Sequence, residues 1–131
     1  MFLQHTNSAK ETEPFFEVPA TAGESYKPGE ALKMVSGKAT KCTGATVPAY
    51  ICQSKLDSAV DGDVVLVSLV NPQQELEVPL EVAGTSLKPG NKVTVGTDGL
   101  SVTATTTDGV FFITNVLGTA AGDKVRGYFM R

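Results

Sequence analysis

Hydrophobic and polar residues alternate along much of the chain with the period of two that is typical of half-buried β-strands. The alternation is clearest over residues 76–82 and again over residues 93–104, where a Thr-Asp-Gly turn divides it into a hairpin. Residues 64–70 form a nearly continuous apolar run, which indicates a strand that is buried on both faces or lies across the interior of a barrel. Further strands are predicted at residues 31–35, 110–114 and 124–130.

Two features of the sequence depart from this pattern of regular strands, namely Pro79 and residues 53–60. Pro79 lies within the alternating segment 74–82, and proline cannot donate a ladder hydrogen bond, so this strand is predicted at a sheet edge or with a bulge. Residues 53–60 lack Gly and Pro and carry Leu56 and Val60 at helical spacing. They are the one stretch in which the sequence allows a short helix.

An eight-residue motif occurs at residues 22–29 and again at residues 83–90. Six of the eight positions are identical, and each copy ends in Lys-Pro-Gly. Pro fixes φ at about −65° and Gly supplies a positive φ, as the centre of a type II turn requires. Two hairpins that use the same turn chemistry would explain the repeat, and so would two related β units that pack together.

Residues 1–19 differ from the rest of the chain. Residues 5–14 are polar and unpatterned, which indicates an arm that is mobile in the isolated protein. Phe15 and Phe16 follow, and adjacent strand residues point to opposite faces, so one core cannot readily bury both rings. Either one ring packs on the domain and the other stays half exposed, or the segment docks on a partner.

Together these patterns predict an all-β protein, a small, mostly antiparallel β-barrel or sandwich with two related hairpin units and an extended N-terminal arm. Residues 1–19 would form the flexible arm and residues 20–131 a single β domain. A length of 131 residues suits one domain. The 13 Gly and 7 Pro residues supply the turns that many short strands need.

Charge and targeting signals narrow the classes of partner and compartment. The net charge of −3 argues against a nucleic acid or a membrane as partner, because both attract basic surfaces. The chain opens without a basic, apolar leader, and no apolar run approaches the roughly 20 residues that span a bilayer. Cys42 and Cys52 are therefore expected to be reduced thiols rather than a disulfide.

Candidate chemistry is sparse along the chain. His5 is the single histidine and lies in the predicted arm, where a base is not held in catalytic geometry. Asp57, Asp61 and Asp63 lie in a predicted turn, where Asp commonly accepts backbone hydrogen bonds, and no glutamate follows at calcium-loop spacing. The two cysteines lack zinc-site spacing. We expect no catalytic residue, no metal and no cofactor.

Three features of the chain carry a resemblance to a known family. They are the polar N-terminal arm, the unit KPGEALKMVSGKATKCTGATVPAYICQ at residues 27–53, and the unit SLKPGNKVTVGTDGLSVTATT at residues 86–106. Each unit has a Gly turn, a strand, a short Gly hairpin and a return strand. In this layout the chain resembles bacteriophage head decoration proteins, also called capsid cement or stabilising proteins.

The resemblance implies a non-catalytic virion protein, made in the cytoplasm of the host bacterium and bound to the outer surface of the capsid. Its partner would be the phage major capsid protein, whose shell it would stabilise against internal DNA pressure. Members of the class are monomers, dimers or trimers, and this sequence does not choose among them. A docking arm would bury apolar anchors, for which the candidates are Phe2, Leu3, Phe15, Phe16 and Val18.

Two other functions fit the same sequence. Another virion structural subunit, such as a tail or head-completion component, would also be rich in β-strands and without catalysis. A small β binding module is the second alternative, although such modules in bacterial surface proteins normally carry an export signal or linker-flanked repeats.

Overall fold

The computed structural model describes residues 1–7 and 15–130, with the backbone alone for residues 5–7. Ten β-strands and no helix occur in these ranges. The strands are β1 (Leu3–Asn7), β2 (Phe15–Pro19), β3 (Ala31–Val35), β4 (Lys38–Lys41), β5 (Tyr50–Cys52), β6 (Val64–Leu69), β7 (Gln74–Pro79), β8 (Lys92–Val93), β9 (Phe111–Val116) and β10 (Lys124–Phe129).

The strands form two five-stranded sheets in which every neighbouring pair is antiparallel. One sheet has the order β1-β7-β10-β9-β8 and the other the order β2-β6-β5-β3-β4. Neither sheet closes on itself through its named strands. This arrangement confirms the predicted all-β class of barrel-like or sandwich-like architecture.

Residues 15–69 and residues 74–129 fold in the same way, so the chain contains two equivalent halves. Strands β2, β6, β5 and β3 lie side by side in one sheet, as β7, β10, β9 and β8 do in the other. Cross-strand partners also correspond, because Val18 pairs with Val65 and, with the same offset along the chain, Val78 pairs with Val125. The structure therefore favours related units over two hairpins that share only their turn chemistry.

The repeated Lys-Pro-Gly motif occupies the same place in each half. Gly29 has a φ of 83° and Gly90 a φ of 98°, as a type II turn requires at this position. The Gly29 N–H donates to the Cys52 carbonyl at 2.7 Å, and the Gly90 N–H donates to the Ile113 carbonyl at 2.8 Å. Donor and acceptor are displaced along the chain by the same amount, so the motif anchors the same turn to the same strand twice.

Two hydrophobic clusters form the interior. The cluster of the first half consists of Val18, Ala20, Tyr26, Leu32, Ala39, Cys52, Ala59, Val65 and Val67. The cluster of the second half is larger, and four residues from before position 52 join it: Phe2, Ala31, Cys42 and Ile51. These four side chains connect the halves, and the two free thiols lie in different clusters.

Residues 1–7 and 15–19 contribute strands to both sheets, where the sequence pattern predicted an arm outside the domain. β1 pairs with β7, and β2 pairs with β6. Ladder hydrogen bonds and the buried side chain of Phe2 thus hold these segments in the fold. The predicted boundary at residue 19 therefore does not coincide with an edge of the described fold. Residues 8–14 of the predicted arm lie outside the described residues, as does the side chain of His5.

β7 is an interior strand, although Pro79 predicted a sheet edge or a bulge. It lies between β1 and β10, and its side chains alternate between buried and half-buried, as the sequence pattern predicts. β1 pairs only with residues 74–77. Pro79 thus lies beyond the end of β1, where the missing N–H loses no ladder hydrogen bond.

Residues 53–60 form bends rather than the short helix that the sequence allowed. The Gln53 N–H donates to the Leu66 carbonyl at 2.8 Å, Leu56 forms an antiparallel bridge with Tyr26, and Ser58 has a φ of 47°. Pairing with distant strands therefore uses the backbone groups that a helix would need.

One strand prediction is corrected and another is confirmed. The apolar strand β6 buries Val65 and Val67 but leaves Val64 exposed and Leu66 half-buried, so it is not covered on both faces. The antiparallel pairing of the predicted hairpin at residues 93–104 is present around the bridge between Val95 and Val102. The Gly96 N–H donates to the Ser101 carbonyl at 2.8 Å, and the Thr103 N–H donates to the Thr94 carbonyl at 2.9 Å.

Candidate partner interface

Two exposed phenylalanines on β2 are the most prominent apolar feature of the described surface. Phe15 is 56% exposed and Phe16 is 43% exposed, although both lie in a regular strand. They occupy opposite faces of β2, opposite Ser68 and Val67 of β6 respectively. The Phe16 ring lies 6.4 Å from the Tyr50 ring. Exposed aromatic rings of this kind are enriched at protein interfaces.

A cleft with a volume of about 210 Å³ lies beside Phe15, between the two halves of the chain. Strand β1 and the start of β7 form one wall, and residues of β2, β5 and β6 form the other. The lining residues are Met1, Phe2, Leu3, Gln4, Phe15, Pro28, Gly29, Ile51, Gln53, Ser68, Gln74 and Leu76. The cleft is therefore mostly apolar, with a few polar groups among the apolar walls.

The polar groups of the cleft are side-chain amides and one hydroxyl. The Gln74 amide donates to Oε1 of Gln4 at 3.2 Å, and the Gln53 amide donates to the Ser68 hydroxyl at 2.8 Å. Gln74 is almost completely buried, and its Oε1 has no hydrogen-bond partner among the described residues. A buried acceptor without a partner costs free energy, so the cleft can gain stability from a bound donor.

The five predicted anchors separate into two groups. Leu3, Phe15 and Phe16 are exposed, with Leu3 46% exposed, and they remain predicted contacts for a partner. Phe2 and Val18 are buried in the two clusters of this chain. This corrects their prediction as anchors, because their side chains already fill the protein's own core.

Sequence reasoning missed the cleft, but one signal was present. Gln74 shares the strand face of Leu76 and Val78, which is the buried face of β7. A glutamine in that phase indicates a buried polar group, which usually has a hydrogen-bonding reason. The partner of that glutamine across the cleft, Gln4, could not be found from local pattern because 70 residues separate the two.

Glu30 is a buried carboxyl group outside the cleft. Its Oε2 accepts a hydrogen bond from the Lys27 N–H at 3.1 Å, while Oε1 has no hydrogen-bond partner within the part of the chain that the structure describes. Burial raises the pKa of Glu30. The equivalent residue of the second half is Asn91, whose side-chain oxygen accepts from the Lys88 N–H at 2.8 Å. The same role is filled by a neutral amide, so Glu30 closes a turn rather than forming a charged site.

The thiols are buried, and two aspartates of the predicted turn, Asp61 and Asp63, have structural partners. Burial raises the pKa of the Cys42 thiol to about 11 and raises that of Cys52, so neither is an activated nucleophile. The Asp63 carboxylate accepts the Val60 N–H at 2.9 Å, as predicted for an aspartate in a turn, and Asp61 pairs with Lys38 at 2.8 Å. The ranges 1–7 and 15–130 contain no cluster of His, Cys, Asp or Glu residues that could hold a metal.

No helix in the described part of the chain is long and apolar enough to cross a membrane.

Comparisons with known proteins bear on the fold. No protein-family model matches the chain, and no curated protein matches it in sequence. Among solved structures, the chain is similar to the crystal structure of the head fiber gp8.5 N base in bacteriophage phi29. The match covers 89% of this chain and 95% of that chain, at 20% identity and a TM-score of 0.58. The resemblance to a phage head protein is thus confirmed at the level of the fold, which the two chains share.

Proposed function

We propose that this protein is a non-catalytic phage capsid decoration protein, which binds the outer surface of the major capsid shell and stabilises it against internal DNA pressure. The observation that carries the proposal is the fold likeness to the N base of a phage head fiber, which extends over 95% of that chain. Exposed Leu3, Phe15 and Phe16 supply an apolar contact surface at the edges of both sheets.

The chemistry of the site supports binding rather than catalysis. The cleft beside Phe15 is lined by amides, a hydroxyl and apolar side chains, which are groups that recognise a surface but do not activate a nucleophile or transfer a proton. Burying one exposed phenylalanine contributes about 1.5–3 kcal/mol before the cost of ordering. Such a modest free energy per contact adds up to a large stabilisation when many copies bind one shell.

The net charge of the chain fits a position outside the shell. At −3, the protein would be repelled by packaged DNA rather than recruited to it. The outer surface of the capsid is therefore the favoured location, and the major capsid protein is the expected partner.

The proposal is tested by counting the protein in density-banded phage particles, with quantitative peptide mass spectrometry against the major capsid protein. Hundreds of copies per particle are expected. A few copies per particle would indicate a tail or head-completion subunit instead, and absence from particles would leave a small β binding module.

A second experiment tests the proposed surface. Purified protein is added to particles that lack it, and the Phe15→Ser and Phe16→Ser variants are compared with Leu117→Ser, which alters an exposed apolar residue remote in sequence from β2. The β2 variants should lose binding and the protection of particles against heat, while the control keeps both. Equal binding by all three variants would contradict a contact through β2.

A further inference from the structure

One difference between the two halves of the chain is the strand beside their first strand. β7 is covered by β1, with Leu3 opposite Glu77 and Gln4 opposite Leu76. The equivalent strand of the first half, β2, is the edge of its sheet among the described residues, and only Ala20, directly after it, forms a bridge to Ala39 of β4. We infer that the outer edge of β2 binds an extended segment of the capsid subunit, antiparallel, with a basic residue opposite Glu17 between large apolar residues. This inference rests on the proposed function and specifies the chemistry of its partner.

The backbone of β2 offers hydrogen-bonding groups along this edge. The Ala20 N–H donates to the Asp63 carbonyl at 2.9 Å, so Val18 and Phe16, at alternate positions before it, also bond to β6. The N–H and C=O groups of Phe15 and Glu17 therefore point away from the sheet. Addition of a strand to such an edge is a common mode of peptide recognition.

The apolar side chains beside the edge are uncovered in the first half and covered in the second. Leu76, covered by β1, is 2% exposed, whereas Phe16 at the equivalent position is 43% exposed. Since the two strands have the same register with their inner neighbours, the difference comes from the missing outer strand.

A side chain of the docked strand that packed on the uncovered apolar residues beside β2 would have a counterpart in the second half. Phe2 packs with its ring centre 6.0 Å from that of Phe111 and 5.1 Å from that of Phe129. The equivalent residues of the first half are Tyr50 and Leu69, and both are only half-buried. A large apolar side chain opposite Val18 would therefore lie where Phe2 lies in the other half.

The negative charge of Glu17 indicates which residue of the docked strand should lie between its two apolar residues. Glu77 has Arg126 as its cross-strand neighbour on β10, whereas Glu17 has Leu66 on β6. Glu17 is exposed, and within residues 1–7 and 15–130 no ion pair involves it. A lysine or arginine on the docked strand, opposite Glu17, would supply the missing cation.

The test uses the full chain, labelled with ¹⁵N, and two synthetic peptides as probes. One peptide has the sequence of residues 1–7 of this chain, and the other carries the Leu3→Lys change, which places lysine opposite Glu17 in the inferred register. Both should shift the amide signals of residues 15–18. The lysine peptide should bind about two- to fivefold more tightly, as an exposed ion pair allows. Shifts confined to β7 would mean that the peptide only displaces β1, and would overturn the inference.

Two variants at position 17 distinguish the contribution of the backbone hydrogen bond to peptide binding from that of the Glu17 charge. Glu17→Pro removes the outward N–H without removing a bond to β6, and Pro19 already occupies the same phase of the strand. It should abolish binding of both peptides while the thermal midpoint stays near the native value. The matched variant Glu17→Gln keeps the N–H and should make the two peptides bind equally. Unchanged binding to Glu17→Pro would overturn the inference.

Two further outcomes test the identity of the partner and the proposed function separately. If the protein alone forms dimers in sedimentation and Glu17→Pro dissolves them, the edge belongs to a second copy and the assignment to a capsid segment is overturned. Peptide binding through β2 by a protein absent from phage particles would refute the proposed function while leaving the edge a binding site.

Discussion

Replacing Phe2 by alanine removes the side chain through which β1 packs on the core. Phe2 is 2% exposed, and its ring lies against Phe111 and Phe129. Its N–H also donates to the Gly29 carbonyl at 2.9 Å, which ties the strand to the first half. Truncation of a buried phenylalanine costs about 3–5 kcal/mol, from lost burial and the cavity that remains.

The expected loss is large enough for a simple thermal assay. For a domain of this size each kcal/mol lowers the unfolding midpoint by about 4 °C, so Phe2→Ala should lower it by about 12–20 °C. Leu3→Ala is the matched control, because Leu3 is the adjacent residue and is exposed. It should change the stability by about 0.5 kcal/mol or less.

Calorimetry and urea unfolding of the two variants would measure the difference directly. A Phe2→Ala midpoint within about 2 °C of the native value would refute the reasoning. It would mean that residues 1–7 behave as a separate arm in solution, as the sequence pattern predicted.

Three other predictions concern single residues elsewhere in the fold. Burial raises the pKa of Glu30. Its contribution to stability should therefore be complete below the ordinary glutamate pKa of about 4.3, and it should be lost as the pH rises through the folded pKa. Glu30→Gln introduces a neutral amide like that of Asn91 and should remove this pH dependence of stability. Cys42, with a pKa of about 11, should react with iodoacetamide at pH 8 about a hundredfold more slowly in the folded protein than in urea. Gly127→Ala should destabilise the protein by about 2 kcal/mol or more, because a Cβ there would overlap the Phe112 carbonyl oxygen.

Each of these expectations has a result that would contradict it. Native and Glu30→Gln proteins with parallel pH–stability curves would mean that Glu30 titrates alike in the folded and unfolded states. Rapid alkylation of the folded protein would mean that Cys42 is accessible. A Gly127→Ala variant with native stability would mean that β10 can move away from β9.

Much of the local structure is predictable from the sequence, because short-range stereochemistry controls it. The Lys-Pro-Gly turns have the positive glycine φ values that their residues require, and β7 buries the face that its alternation indicates. The repeated turn motif leaves open whether the two units are related, and the equal strand order and register of the two halves favour related units. The exposure of the Phe15–Phe16 pair agrees with the rule that neighbouring strand residues face opposite ways.

The candidate interface is only partly predictable, because its geometry depends on pairings between distant residues. Leu3, Phe15 and Phe16 lie at the surface, whereas Phe2 enters the core of the second half. No local pattern distinguishes Phe2 from Leu3, and the choice depends on how β1 aligns with β7, which is distant from it in sequence. The same alignment moves Pro79 from the predicted edge to an interior strand.

The strand-forming segments and the turns follow from the amino-acid sequence, because alternation and turn stereochemistry act over a few residues. Which of the two equivalent strands is covered becomes clear only in the folded chain. β1 can pair with one edge, and the side chain of Phe2 finds its aromatic partners beside β7 rather than β2. The first half therefore keeps an open strand edge and an exposed Phe16, since burial depends on which strands meet and not on the residues of one strand alone.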